Sequence, residues 1–257
     1  MMDKMKDKTV FITGASSGIG KACAEAFAGE KANLVLAARR DDRLKEVAGN
    51  LEKKFNIKTK IIALDVRNSD DVKKSFNELD ERWSNIDVLI NNAGLARGFD
   101  KIYEGNIESW EEMIDTNLKG LLYITRTVLP GMVSRKKGHI INIGSLAGHE
   151  VYPNGNVYCA TKFAVNALTK AIRMDCLENE IKVSTIDPGL VETEFSIVRF
   201  SGDKQRADKV YEGLAPLTPE DIADAVLYCA TRPGHVNINE VILTPVAQAS
   251  TTQAIRK

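Results

Sequence analysis

Short apolar runs and amphipathic stretches alternate along the chain from its beginning. Thr9-Val-Phe-Ile-Thr13 is closed by Gly14, the form of a strand buried on both faces. Residues 19–28 follow with helical spacing, and Gly29 stands where a C-terminal stop belongs. Residues 33–38 (Asn-Leu-Val-Leu-Ala-Ala) predict a second strand, and Asp41 or Asp42 can cap a helix over 43–55. A strand over 60–63 leads into Asp65-Val66, and residues 69–83 set Val72, Phe76 and Leu79 at amphipathic spacing. A strand over 88–90 ends in Asn91-Asn92-Ala93-Gly94. Residues 110–133 predict a long helix that tolerates Gly120 and carries Pro130 near its end. A strand over 138–143 runs into Gly144-Ser145, and a helix over 156–179 follows. After it come a strand over 182–186, Asp187-Pro188-Gly189, a helix opened by Thr218-Pro219-Glu220, and a last strand over 240–243.

Seven strands alternating with helices predict an α/β fold of the Rossmann type. It is a doubly wound parallel sheet with helices on both faces, one domain over residues 1–257. No repeat, low-complexity tract or linker divides it. Such sheets bind ligands beyond the C-terminal ends of their strands. Gly14, Asp65, Asn91, Ser145 and Pro188 all follow predicted strands, so one edge collects the unusual residues.

Composition narrows the setting. The 35 basic and 35 acidic residues cancel, which leaves no general attraction to nucleic acid or anionic membrane. Cys23, Cys159, Cys176 and Cys229 are scattered without a C-x-x-C pair and read as reduced packing residues. His139, His149 and His235 show no metal-ligand spacing, so no metal is expected. No apolar run approaches the roughly 20 residues that span a bilayer, and the charged start lacks a signal-type core. A cytoplasmic protein is the expectation.

Thr13-Gly-Ala-Ser-Ser-Gly-Ile-Gly20 lies between the first strand and the first helix. Its glycines let the backbone approach a pyrophosphate, with Ser16, Ser17 and Ile19 between them, and the helix N-terminus faces the negative charge. The spacing is G-x3-G-x-G, one residue wider than the common dinucleotide fingerprint. Strand two ends in Arg39-Arg40 rather than in the acid that holds a ribose 2′-hydroxyl. Arginine suits a 2′-phosphate, so NADP(H) is the expected cofactor, with Asp41 and Asp42 close by as the counter-indication.

The chemistry lies between Ser145 and Lys162. On a helix Tyr158 and Lys162 are one turn apart on one face. An ammonium about 4 Å from a phenol, at an effective dielectric of about 20, favours phenolate by roughly 4 kcal/mol, about three pK units. That makes the tyrosine a proton carrier near neutrality, while Ser145 can hydrogen-bond the reacting oxygen. A lone Y-x-x-x-K also describes an exposed tyrosine beside a solvated lysine. The nucleotide loop and the shared sheet edge decide for chemistry.

Taken together these motifs resemble the short-chain dehydrogenase/reductase family over essentially the whole chain. The glycine motif falls on Gly14, Gly18 and Gly20, and N-N-A-G on Asn91 to Gly94. The resemblance implies a cofactor site that also takes in Asp65, Val66, Asn92, Ala93, Gly94, Tyr158, Lys162, Pro188, Gly189, Val191 and Thr193. It implies Tyr158 as general acid/base, Lys162 lowering its pKa and holding the nicotinamide ribose, and Ser145 orienting the substrate. Asn117 is implied to anchor a water that relays protons to Lys162, a role that nothing in its local pattern suggests. A homotetramer built through the helices over 110–133 and 156–179 is implied as well; Val157, Ala160, Ala164, Leu168, Ala171 and Ile172 make an apolar stripe wider than one sheet-facing side needs.

Within the family, His139-Ile-Ile-Asn-Ile-Gly-Ser-Leu-Ala-Gly148 and Pro188-Gly-Leu-Val-Glu-Thr-Glu-Phe195 resemble the NADP-dependent 3-hydroxy acid dehydrogenases, which oxidise serine, allo-threonine and small 3-hydroxy acids. The chain lacks the D-G-G tail of most 3-oxoacyl-carrier-protein reductases, which stand as the alternative. A non-catalytic NADP(H)-sensing protein is an alternative of another class. A hydroxy-acid substrate brings a carboxylate that needs a cation, and Arg199, in a substrate loop over 191–213, is the candidate, with Arg97 behind it.

Overall fold

A computed structural model describes residues 4–257. Its strands are β1 (Thr9–Thr13), β2 (Asn33–Ala38), β3 (Thr59–Ala63), β4 (Val88–Asn91), β5 (His139–Ile143), β6 (Lys182–Pro188) and β7 (Glu240–Leu243). They form one sheet in the order β3-β2-β1-β4-β5-β6-β7, and every pairing is parallel. The order reverses between β1 and β4, which opens a crevice at their C-terminal ends. β1 and β5 are buried along their whole length, as a parallel sheet covered on both faces requires.

The helices are α1 (Gly18–Gly29), α2 (Asp41–Phe55), α3 (Ser69–Asn77), α4 (Glu81–Ser84), α5 (Ile107–Ile114), α6 (Leu121–Arg135), α7 (Asn156–Asp175), α8 (Phe195–Arg199), α9 (Lys204–Lys209) and α10 (Pro219–Ala230). On one face of the sheet Phe27, Leu44 and Ile222 from α1, α2 and α10 pack on Val10, Ile12, Leu34 and Leu36. On the other, Val72, Val128, Met132 and Ile172 cover Phe11, Val35, Leu89 and Ile140. Burying such side chains contributes roughly 1.5–3 kcal/mol each, so the strand alternation alone fixes which face each residue meets.

Several boundaries differ from expectation for local reasons. α1 runs through Gly29, and Lys31 (φ 64°) takes the left-handed position after it. Neither Asp41 nor Asp42 caps α2: both lie in its first turn, where their charge favours the helix N-terminus. The stretch over 69–83 is two helices, because the chain turns at Glu78–Asp80, with Leu79 donating back to Phe76. The long helix expected over 110–133 starts earlier, at Ile107, where Asn106 caps the amide of Ser109. It widens into a π-helical turn over Asp115–Gly120 and then continues past Pro130 to Arg135. α7 ends at Asp175, and a 3₁₀ turn covers the remainder to Asn179. The start of α10 is as expected: Thr218 and Asp221 form a capping box around Pro219. α8 and α9 lie in the stretch expected as a loop. No helix of the described residues is long and apolar enough to cross a membrane.

One buried group ties the fold to pH. His139 opens β5, is 3% exposed, and its Nε2 shares a hydrogen bond with the Ser184 hydroxyl at 2.7 Å while Nδ1 has no partner among the described residues. Burial draws its pKa down to about 3, with the neighbouring Lys182 pulling the same way. The unfolded chain therefore binds a proton that the folded chain refuses. The stability this residue contributes is present above pH about 6.5 and lost as pH falls from there towards 3. In His139→Gln, the stability lost between pH 6.5 and 4.5, measured by urea unfolding, is expected to shrink by about 2–3 kcal/mol. An unchanged acid limb contradicts this assignment.

Candidate active site

The turn after β1 brings the chain back on itself with Gly14 at φ 66° and Gly18 at φ 51°, conformations that side-chain-bearing residues rarely adopt. A Cβ on Gly20 would overlap the Gly14 carbonyl and the Asn92 amide, so strand, loop and helix pack backbone to backbone. α1 opens into the crevice, and its first-turn amides have no side-chain cap. The hydroxyl of Ser17, which could have capped them, instead accepts from Arg40 Nη2 at 2.7 Å. Arg40 also reaches the Ser16 hydroxyl through Nε (3.3 Å) and Nη2 (3.2 Å). A phosphate-sized anion at this corner would find two hydroxyls and a guanidinium beside a helix N-terminus, so the residues fit a nucleotide phosphate. Arg39 is looser, with its side chain half-exposed and Glu112 at 3.8 Å.

The N-N-A-G segment stitches β4 to β1 across the reversal point. Asn92 and Ala93 amides donate to Thr13 Oγ1 at 3.0 and 2.9 Å, and the Asn92 side chain donates to the Thr13 carbonyl at 2.9 Å. Asp65 is held by Arg67, at 2.6 Å between Nη2 and Oδ2, which keeps its carboxyl below the usual range. Asn117 sits in the π turn and is 2% exposed. Its Oδ1 accepts from the Leu95 amide (2.8 Å), and its Nδ2 donates to the Leu95 carbonyl (2.8 Å) and to Thr161 Oγ1 (3.1 Å). The side chain is thus fully used in clamping the segment after Gly94 onto α7.

These walls enclose a cleft of about 760 Å³. Ser145, Tyr158, Lys162 and Arg199 line it, and so does every expected cofactor residue except Gly20, which stands behind the loop. Asn117 does not line the cleft; its side chain acts from behind the wall. Phe99 and Gln248 also line it without any mark in the sequence, together with Tyr152 and with Glu194 from the expected substrate loop. Gln248 and the residues after it come from the far end of the chain, and the Thr251 amide is anchored to Glu150 at 2.9 Å.

Tyr158 is 9% exposed, edge-on to Phe195 at 5.6 Å between ring centroids. Lys162 Nζ donates to the Ile143 carbonyl at 2.9 Å and lies 5.9 Å from the Tyr158 ring centroid. At this separation Lys162 is not among the groups that act most on the phenol. Burial pushes the Tyr158 pKa up, the nearby Tyr152 adds to this, and Ser145 and Arg199 oppose it. Burial also draws Lys162 down to about 8, against the attraction of Asp187. A buried phenol some distance from its ammonium stays neutral, where the 4 Å estimate assumed close contact. Ser145 Oγ accepts from the Ala147 amide at 3.1 Å, which fixes its hydroxyl beside the 3₁₀ turn Leu146–Gly148.

Two arginines were candidates for an anionic substrate, and the structure separates them. Arg97 is committed: Nε donates to Glu112 at 2.7 Å and Nη1 to the Val198 carbonyl at 2.8 Å. The Arg199 guanidinium carbon lies 4.8 Å from the Phe99 ring centroid, 5.4 Å from that of Tyr152 and 5.8 Å from that of Tyr158, and Nε donates to the Gly98 carbonyl at 3.2 Å. No carboxylate of the described residues pairs with it within 4 Å.

A crevice at the reversal point of a parallel sheet, a glycine turn feeding a helix, and a serine, tyrosine and lysine on one wall define a dehydrogenase of the short-chain kind. Residues 8–203 match the short chain dehydrogenase family, and the chain belongs to it. It is 46% identical over 257 residues to the "NADP-dependent 3-hydroxy acid dehydrogenase" of Schizosaccharomyces pombe, covering 100% of this chain and 99% of that one. It is 45% identical over 241 residues to the protein named "NADP-dependent 3-hydroxy acid dehydrogenase YdfG" in Escherichia coli K12, covering 93% of this chain and 96% of the relative. Among solved structures, a serine dehydrogenase in its closed form with NADP+ superposes with TM-score 0.91 at 44% identity, covering 97% of this chain and 99% of that one.

The Asn117 clamp makes a direct prediction. Asn117→Ala leaves the Leu95 amide and carbonyl without their partner in a buried setting, where each unpaired group costs about 1–3 kcal/mol. Urea unfolding is expected to show a loss of about 3 kcal/mol. A loss below about 0.5 kcal/mol would show that the clamp does not hold the segment.

Proposed function

We propose that this protein is an NADP-dependent oxidoreductase that interconverts the hydroxyl of small 3-hydroxy acids, of the serine, allo-threonine and 3-hydroxybutyrate type, with the corresponding aldehyde or ketone. The observation that carries the reading is the meeting of Tyr158, Ser145 and Arg199 on one wall of the cleft whose other end holds Ser16, Ser17 and Arg40. The names of the relatives support the cofactor and the substrate class.

When bound, NADP+ supplies the hydride acceptor, and Arg40, Ser16 and Ser17 would hold its 2′-phosphate end, with Arg39 at the rim. Gly14, Gly18 and Ile19 would border the pyrophosphate. Asp65 and Val66 would flank the adenine, and Asn92, Ala93 and Gly94 the middle of the nucleotide. Pro188, Gly189, Val191 and Thr193 would border the nicotinamide end. In the oxidative direction Tyr158 takes the hydroxyl proton as the carbon gives up its hydride; in reduction it returns that proton to the forming alkoxide. Burial keeps the phenol protonated at neutral pH, so the reductive direction starts with its donor in place and the oxidative direction gains as pH rises. Ser145 Oγ holds the reacting oxygen beside the phenol. Asn117 fixes the wall between Gly94 and α7, and a relayed proton would pass the Lys162 ammonium. The Arg199 guanidinium, held beside the Phe99 and Tyr152 rings, binds the substrate carboxylate. Of the stripe expected on α7, Ile172 is buried and Val157 and Leu168 pack inward, while Ala160 and Ala171 stay exposed beside Phe163 and Met174, which supports association into a homotetramer through that helix.

A panel of alcohols and hydroxy acids, run with NADP+ and NAD+ in parallel on wild type and Arg199→Met, tests the reading. Wild type is expected to oxidise 3-hydroxy acids with NADP+ preferred. Arg199→Met is expected to raise KM for serine or 3-hydroxybutyrate about tenfold or more, the scale of one lost charge-assisted bond, with a neutral alcohol of similar size nearly unaffected. Equal effects on acid and alcohol remove Arg199 from carboxylate recognition, and no turnover of any 3-hydroxy acid overturns the substrate assignment.

A further inference from the structure

Every edge of the Arg40 guanidinium has a partner within the chain. Nε and Nη2 point to the Ser16 hydroxyl at 3.3 and 3.2 Å, and Nη2 also reaches the Ser17 hydroxyl at 2.7 Å. Nη1 turns the other way and donates to Glu194 Oε2 at 2.9 Å. The serines are neutral, so Glu194 is the one anion paired with this guanidinium within 4 Å among the described residues. The second oxygen of the same carboxylate, Oε1, accepts from Arg43 Nη1 at 2.7 Å. Asp41, the acid next to Arg40 in sequence, pairs instead with Lys45 at 2.6 Å.

Glu194 reaches this corner from the substrate loop, 154 positions further along the chain. Its neighbour Thr193 is seated on the glycine turn: a Cβ on Gly18 would lie 3.5 Å from the Thr193 side chain. Its own carbonyl accepts from the Val198 amide at 3.0 Å and so opens α8. Phe195, the next residue, stands edge-on to Tyr158, and Arg199 closes the same short helix. The Arg43 and Arg40 guanidiniums hold the Glu194 carboxyl below the usual range, so it is a full anion at neutral pH. One carboxylate therefore bridges two arginines of the cofactor corner from the first turn of the segment that faces the substrate end.

Resting on the proposed hold of Arg40 on the 2′-phosphate, we propose that Glu194 is a cofactor-discriminating residue: an internal anion that competes with the 2′-phosphate for Arg40, and that a cofactor with a free 2′-hydroxyl leaves in place. A phosphate and a carboxylate on one guanidinium repel each other, so the phosphate-bearing cofactor binds against Glu194. The carboxylate has somewhere to go, because Arg43 already holds its other oxygen. A neutral hydroxyl makes a hydrogen bond about half as strong as a charged one and does not dislodge the ion pair. Glu194 thus tempers the preference that Arg39 and Arg40 create, and the exchange takes place at the start of the segment that carries Phe195 and Arg199.

The test is binding, without turnover. Adenosine 2′,5′-bisphosphate and 5′-AMP are titrated calorimetrically into the full-length wild type, Glu194→Gln, Glu194→Ala and Arg40→Ala. Both Glu194 variants are expected to bind the bisphosphate about fivefold tighter than wild type, with 5′-AMP unchanged. Arg40 and Glu194 side chains are each 44% exposed, so the ratio between variant and wild type is expected to shrink as salt is raised. Bisphosphate affinity that is unchanged or weaker in both Glu194 variants overturns the proposal, and so does an equal gain for both nucleotides. Arg40→Ala separates this result from the reading beneath it. If that variant loses bisphosphate affinity while the Glu194 variants match wild type, the competition alone is wrong. If Arg40→Ala binds the bisphosphate as wild type does, the phosphate role of Arg40 falls and the proposal falls with it.

Discussion

Placing a primary amine inside a protein costs several kcal/mol of solvation, and the ligand-facing end of this sheet is arranged around one such amine. Lys162 is held by the Ile143 carbonyl from below and lies beside Gly94, which the Asn117 side chain backs. Each of those groups comes from a different element: β5, the end of β4 and the π turn. The amine can be there only if all three arrive in register. The parallel pairing of β4, β5 and β6 delivers them together, because level strand ends in a parallel sheet finish at one edge.

The same edge explains the division of labour along the cleft. Near β1 and β2 the groups are backbone turns, hydroxyls and arginine, suited to a phosphate. Near β5 and β6 they are a phenol, a serine hydroxyl and a buried ammonium, suited to moving a proton. The substrate loop over 191–213 joins the two: Glu194 bridges Arg40 and Arg43 at 2.9 and 2.7 Å, Phe195 packs on Tyr158, and the Val198 carbonyl is held by Arg97. The loop and the cofactor corner are thus in direct contact through side chains.

Much of this was legible in the chain. Period-two and apolar runs located all seven strands, and glycine and asparagine after β1 and β4 marked the crevice, because backbone constraints leave local signatures. What stayed hidden required three dimensions. The Tyr158–Lys162 spacing suggested close charge contact, but burial of the ring and the Ile143 tether set the electrostatics instead. Asn117 looked like an ordinary helical polar residue because a π turn has no strong sequence mark. His149, Asp187 and Glu240 are far apart in sequence and adjacent only through strand order. Arg199 ranked ahead of Arg97 only by its place in the loop; in space Arg97 meets Glu112, and Arg199 meets aromatic rings.

The central claim is that the Tyr158 hydroxyl carries the proton in the proposed hydride transfer. The most direct measurement is kcat of Tyr158→Phe with a 3-hydroxy acid and NADP+, alongside NADPH affinity by fluorescence titration. The ring stays in its packing against Phe195 and only the acid/base oxygen is removed. The account predicts loss of turnover by a factor of about 10² or more with NADPH binding close to wild type. A variant that retains a tenth or more of the wild-type kcat would contradict it.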